Sequence, residues 1–352
     1  LYLNETSIKW FVFPIRMIAK PAKVVLTSVF MVVTLYLSVA FALTLWPPSL
    51  PFASVDLNTA HAQAPTPHIA VNTEKVPMRD GRNLSVAHYP KKSNRTIVLV
   101  HGMAGSHQNF SALAPALQQA TGAEILVPDL RAHGASDGAP FDVDYIGQYE
   151  HDLFDLMAHI RGTRSDKSIL IAGHSMGGGI ALRYALLEEH IQPDAYLLFA
   201  PNFGEGPTQR SAQATDESSA QTAPVYFFMR RMVGQMMLNT VGITQLNHLP
   251  VLYLNTPPRR KDYSFRGFMS GQPNRPQTSE VALAHIDVPM LVIVGSEDEV
   301  FDADAFEPFV SEHSTGTTVR IKGADHNSVL NDPATLRAVE RWYAEVEASA
   351  KQ

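Results

Sequence analysis

Gly173-His174-Ser175-Met176-Gly177 is the segment whose residue types and spacing most directly offer chemistry. A serine two residues from a glycine on either side suits a sharp strand-to-helix turn, where a Cβ at the glycine positions would block close backbone approach. Such a turn presents the hydroxyl at the end of a strand. The helix that follows turns its first N–H groups, Met176 among them, toward negative charge developing on a substrate oxygen. A serine hydroxyl is a weak nucleophile at neutral pH, so it needs a base, and the base needs a carboxylate to fix its tautomer and stabilise the imidazolium. The chain has 14 histidines and 34 acidic residues to draw on, and no cysteine. A thiolate nucleophile, a disulfide framework and a Cys-based zinc site are thereby excluded. No cluster has metal-ligand spacing and no G-x-G-x-x-G or P-loop pattern occurs, so neither a metal nor a nucleotide cofactor is expected.

The elements that must hold this serine follow from the apolar pattern. Glu74–Met78 and Asn83–Tyr89 flank Asp80-Gly81, a dipeptide suited to a tight hairpin. Short apolar runs at Thr96–Val100, Glu124–Pro128, Ser168–Ala172, Ala195–Phe199, Met290–Val294 and Thr317–Ile321 then alternate with helical spacing at Phe110–Gln119, Ile146–Ile160, Gly178–Glu188, Ala303–Glu312 and Pro333–Val346. This alternation predicts an α/β fold, a mostly parallel sheet covered on both faces by crossover helices. No repeat of 20 to 50 residues is visible, which disfavours a solenoid or a propeller. Between Ala200 and Val288 lie about ninety residues without the rhythm, too long for an ordinary connection. We read a helical cap inserted at about 202–287. Its first part, Gly204–Ala223, is a polar loop; Pro224–Thr240 carries Phe227, Phe228, Met229, Met232, Met236 and Met237. That stripe either packs the cap or lines a site for a hydrophobic substrate.

These motifs in this order resemble the α/β-hydrolase superfamily, and the resemblance is spread over residues 74–350. His101-Gly102-Met103 follows a strand as the family's oxyanion loop does, which implies that the Met103 N–H joins that of Met176 in an oxyanion hole. Asp129-Leu130-Arg131-Ala132-His133-Gly134-Ala135-Ser136 is similar to the family's D-x-R-G-x-G-x-S segment, with Ala132 in place of the usual glycine. That segment is structural in the family, so Asp129 and His133 receive no catalytic role. The family order of serine, acid, histidine implies Asp298, in Gly295-Ser296-Glu297-Asp298, as the acid, with Glu297 its main rival and Glu299, Asp302 and Asp304 crowding the same loop. His326, in Gly323-Ala324-Asp325-His326-Asn327, matches the C-terminal histidine loop and is the implied base. His285 and His313 lack a strand-end context, and His174 should point away from the hydroxyl. GHSMGG with a long cap looks most like the monoacylglycerol lipase and lysophospholipase branch, also called the serine aminopeptidase group.

The N-terminal segment is of another kind. Val24–Trp46 runs 23 residues without a charge, about 34 Å as a helix at about 1.5 Å per residue, enough to cross a bilayer. Lys9, Arg16, Lys20 and Lys23 against Glu5 give residues 1–46 a balance of +3, so the rest carries −9 toward the net −6. The positive-inside rule then places residues 1–23 in the cytoplasm and the body outside the inner membrane. Residues 47–72 read as a linker, and the hydrolase domain as 73–350. We favour an uncleaved signal anchor over release after Ala62 or Ala64, where small-x-small patterns lie far beyond the apolar run. An acidic body argues against a nucleic-acid partner, and 45% apolar content excludes a disordered chain.

The expected activity is a serine esterase working through an acyl-enzyme on lipid-like esters such as monoacylglycerol or lysophospholipid. An exopeptidase or thioesterase would use the same residues. A catalytically silent hydrolase used as a binding module would be expected to lack one of them.

Overall fold

The computed structural model describes residues 15–49, 71–163, 168–204, 206–210, 225–255, 260–273 and 278–349. The cleavage patterns at residues 60–64, most of the expected linker and residues 211–223 of the polar loop lie outside them. The chain forms two compact units: Leu1–Pro48 with Met229–Leu246, and Ser49–Phe228 with Asn247–Gln352.

The larger unit is built on an eight-stranded sheet in the order β1-β2-β4-β3-β5-β6-β10-β11. β1 (Thr73–Pro77) and β2 (Asn83–Tyr89) form the expected antiparallel hairpin, closed by the Gly81 N–H on Met78 O and the Met78 N–H on Arg82 O. β3 (Arg95–Val100), β4 (Glu124–Pro128), β5 (Ser168–His174), β6 (Ala195–Phe199), β10 (Met290–Gly295) and β11 (Thr317–Ile321) run parallel. Side chains alternate between faces along a strand, so a strand covered on both sides must be apolar throughout. Val98, Ile171, Leu198 and Val292 enter one core with α3 (Gln148–Thr163), α4 (Met176–Ala185) and α8 (Phe306–His313). Ile97, Leu170, Leu197 and Ile293 enter the other, with α2 (Leu113–Thr121) and α9 (Pro333–Ser349). The C-terminal ends of β3, β5, β10 and β11 lead into the loops carrying Met103, Ser175, Asp298 and His326, the edge where parallel sheets place their sites.

The interval between β6 and β10, expected as a helical cap, contains strands as well as helices. Its larger-unit part contains a three-stranded antiparallel sheet, β7 (Val225–Phe227), β8 (Pro250–Leu254) and β9 (Lys261–Ser264), followed by α6 (Phe265–Ser270) and α7 (Thr278–His285). Within the apolar stripe, Phe227 therefore ends β7, Phe228 links it to the helix, and α5 (Met229–Thr240) begins only after it. β7 and β9, of three and four residues, are too short for alternation to show in the sequence.

The smaller unit consists of α1 (Ile15–Leu45) packed on α5 and the turn after it. Lys23–Leu45 is long and apolar enough to cross a membrane, and only 6% of its most apolar stretch is buried. Such exposure is unlike that of a buried core helix.

Candidate active site

Ser175 sits at the β5–α4 junction with φ 52° and ψ −117°, a backbone conformation L residues rarely adopt. The strain is held from both sides: the Ser175 N–H donates to Phe199 O, and its carbonyl accepts from the N–H groups of Gly178, Gly179 and Asn202. The flanking glycines are required by contact. A Cβ on Gly173 would lie 2.6 Å from the Gly177 carbonyl, and one on Gly177 would collide with Val100 O. Sharp turn and tight seat together explain the spacing of the pentapeptide.

The structure brings Asp298 and His326 together. Asp298 is fully buried, and its Oδ2 accepts from His326 Nδ1 at 2.9 Å while Oδ1 accepts the N–H groups of Val300 and Phe301, each at 2.8 Å. Burial opposes ionisation of this carboxyl, but the His326 hydrogen bond and charge with the two N–H donors outweigh it and hold it below the ordinary carboxylate range. The Nδ1–H bond leaves His326 Nε2 as the free basic atom. Glu297, the rival acid, is exposed. Glu299 has another place: its Oε2 accepts the His326 N–H at 3.0 Å. Phe301 meets the His326 ring edge-on, with centroids 5.2 Å apart.

His174 turns from the hydroxyl toward His326. Its Nε2–H donates to the His326 carbonyl at 2.9 Å, and the two rings lie 4.8 Å apart. Burial, with the neighbouring His326, pushes its pKa down to about 3, so it is neutral. Ser175 and His326 are thus tied through the residue next to the serine. No hydrogen bond joins Ser175 Oγ to His326 Nε2 among the described residues, a contact that commonly tightens only with substrate bound.

Met176 is the first residue of α4, so its N–H has no partner within the helix. A Cβ on Gly102 would lie 3.2 Å from the Ser175 Cβ, so the segment entering Met103 runs directly beside the serine. This loop is held by groups that carry no sequence signal. Ala104, at φ 57°, donates its N–H to Tyr263 Oη and accepts from Lys261 Nζ at 2.6 Å through its carbonyl. Tyr263 Oη lies 2.6 Å from His133 Nε2, and His133 Nδ1 donates to Arg131 O at 2.9 Å. Burial pushes His133 down to about 3 and His101 to about 4, so both rings are neutral. Asp129 accepts from the N–H groups of His107 and Ala135, a structural task. Among the described residues no group of three or more His, Asp or Glu side chains is placed to hold a metal ion.

Residues 91–334, more than half of the chain, match the family model described as serine aminopeptidase, S33. The chain belongs to the serine aminopeptidase S33 family. The sn-1-specific diacylglycerol lipase ABHD11 of Danio rerio is 34% identical to it over 110 residues, 31% of this chain and 33% of that protein. Lipase 1 of Psychrobacter immobilis is 28% identical over 108 residues, 31% and 32% of the two chains. The S33 chain therefore spans about a third of the length of these curated relatives. Among solved structures, a membrane phospholipase A described as a bacterial virulence factor superposes with a TM-score of 0.55 at 18% identity over 94% of this chain and 99% of that one. A Paleococcus ferrophilus monoacylglycerol lipase gives 0.54 at 19% identity over 75% and 99%. At such identities the likeness concerns the fold, which is the α/β-hydrolase fold expected for this S33 member.

Proposed function

We propose that the chain is a serine hydrolase cleaving carboxylic esters of lipid-like acyl groups, such as monoacylglycerols or lysophospholipids, while tethered by α1 to the outer face of the inner membrane. The observation that carries the chemistry is the buried Asp298 Oδ2···His326 Nδ1 hydrogen bond at the sheet edge that also bears Ser175. His326 Nε2 takes the hydroxyl proton as Ser175 Oγ bonds to the ester carbonyl carbon, and the N–H groups of Met103 and Met176 hold the resulting oxyanion. Collapse breaks the ester bond, and the leaving alcohol takes the proton from His326. Water then gives a proton to His326 and its hydroxide to the acyl carbon, and Ser175 leaves with that proton as the acid departs.

The lipid preference and the tether are supported by the apolar length of α1 and by relatives named lipases. The cation excess before α1 supports the cytoplasmic N-terminus. A fluorophosphonate probe should label the wild type and spare Ser175→Ala; equal labelling of both would overturn the nucleophile. Hydrolysis confined to short soluble esters would remove the lipid preference alone, and a membrane-free product starting near Gln63 or Pro65 would replace the tether by secretion. The family's description favours a second reading, an exopeptidase, which predicts turnover of aminoacyl arylamides and none of acyl esters. With serine, histidine and carboxylate all present, a silent binding module is disfavoured.

A further inference from the structure

α5 is built inside out relative to a helix that faces water. Polar side chains in its middle are enclosed: Gln235 and Arg231 are buried, Asn239 Nδ2 donates to Gln235 O at 2.7 Å, and the exposed polar residues, Arg230 and Thr240, stand at its two ends. Leu238 is buried, but three apolar side chains are presented outward, with Met229 56%, Val233 43% and Met236 49% exposed, and Val241 just beyond the helix at 52%. In water this arrangement forfeits burial of apolar surface and gains nothing in return. Against hydrocarbon it is the favoured one, because polar groups there turn to a protein partner and apolar groups to lipid.

The partner is α1. Tyr36, Ala40 and Thr44, spaced by four, form one stripe of that helix, and α5 runs antiparallel along it. At the outer end Arg231 Nε donates to Thr44 O at 2.9 Å and its Nη2 to Trp46 O at 3.3 Å, satisfying carbonyls that a helix C-terminus leaves open. In the middle, Gly234 is a notch: a Cβ there would lie 2.5 Å from Thr44 Oγ1 and 2.8 Å from Ala40 O. At the inner end the Tyr36 hydroxyl donates to Met237 O at 3.0 Å and meets Thr240 Oγ1 at 2.8 Å. From Thr44 to Tyr36 is about 12 Å along the helix axis. Arg230 lies over the Trp46 ring at 5.3 Å, a pair suited to the headgroup level. Past the tip of α5, Val241 and Ile243 line an apolar groove of about 350 Å³ with Val32, Val33, Tyr36 and Leu37.

We propose that α5 is seated in the outer leaflet as the second arm of a helical hairpin with α1, its exposed apolar side chains and the groove covered by lipid acyl chains. The proposal rests on α1 being a retained membrane helix. The absence of native cysteine gives a clean test in the full chain. Single spin-labelled cysteines at Val233, Met236, Phe30 and Glu312 are compared in vesicles of phosphatidylethanolamine and phosphatidylglycerol for collisions with oxygen and with a water-soluble nickel chelate. The expected result is that Val233→Cys and Met236→Cys lose most of the nickel effect, as Phe30→Cys does, while Glu312→Cys keeps it. If both α5 labels match Glu312→Cys while Phe30→Cys stays protected, the hairpin in lipid is overturned and the anchor stands. If Phe30→Cys is also open to nickel, the anchor fails, and this inference with it. Gly234→Leu should pry α5 from α1 and change the α5 labels alone; unchanged α5 labels would overturn the notch.

Discussion

The hydroxyl of Tyr263 accepts the Ala104 N–H at 2.5 Å and donates to the neutral His133 Nε2 at 2.6 Å, so one phenol joins β9 to the loop beside Ser175. Both partners need it: Ala104 is held at φ 57°, where an alanine is strained, and His133 has its other nitrogen committed to Arg131 O.

Tyr263→Phe removes this bridge while keeping the ring. The loop carrying Met103, the proposed oxyanion donor, should lose its register, and such a donor displaced by a fraction of an ångström acts only on the transition state. Since deleting such a donor outright costs about 100- to 1,000-fold, loosening it should lower kcat about tenfold with KM little changed. Steady-state kinetics on a chromogenic acyl ester, beside a thermal melt, checks this; a change confined to KM would assign Tyr263 to substrate binding instead.

Asp298→Asn keeps the shape of the side chain but removes the charge that stabilises an imidazolium, and should lower kcat by on the order of 10³- to 10⁴-fold. The wild-type carboxyl lies below its ordinary value in the fold, so it binds fewer protons folded than unfolded. Its contribution to stability is present above about pH 4, the ordinary carboxylate value, and is lost as pH falls through the lower folded value. Urea unfolding of both proteins from pH 6 to pH 3 should show their difference shrinking toward the acid end. A difference that grows as pH falls would contradict the shift.

Three neutral histidines set a second pH dependence of the same sign. His101, pushed to about 4, and His133 and His174, each pushed to about 3, take up protons near their ordinary value only when unfolded. Stability should therefore be full above about pH 6.5 and decline from there toward pH 4, by up to about 1.4 kcal/mol per pH unit for each ring. Denaturant midpoints at pH 7, 6 and 5 test this, and a flat profile over that range would show that these rings take up protons in the fold as readily as in the unfolded chain.

Much of this was legible in the sequence for one physical reason. A strand covered on both faces must be an unbroken apolar run, so Val98, Leu170, Leu197 and Val292 mark their own strands, and glycines at 173 and 177 mark a turn that tolerates nothing larger. Asp298 is preferred over Glu297 in the sequence only through the family resemblance, because adjacent carboxylates in one loop differ physically only in which is buried against His326. Tyr263 and Lys261 give no signal, since each reaches its partner across a long stretch of chain and by a hydrogen bond any such residue could make, and Glu299 reads only as one of the carboxylates crowding the acid loop. The sheet of β7, β8 and β9 was hidden because β7 and β9 are too short to show a period and β8, Pro250–Leu254, has no strand-helix alternation around it.

Ala132 shows a departure from pattern acting through the backbone. The α/β-hydrolase segment it resembles carries glycine there, and the structure holds Ala132 at φ 63°, with its N–H on Asp137 O and its carbonyl accepting from Phe141. Left-handed backbone costs an L residue about 1 to 2 kcal/mol and glycine almost nothing, while glycine adds some unfolded-state entropy. The first effect is the larger, so Ala132→Gly should stabilise the fold by about 0.5 to 1 kcal/mol, raising Tm by roughly 1 to 2 °C. Hydrogen bonds through Ala132 are made by its backbone and survive the change, so ester hydrolysis should not move. A lower Tm would mean that the Ala132 Cβ, against which Gly138 packs closely, contributes more by contact than its backbone loses by strain.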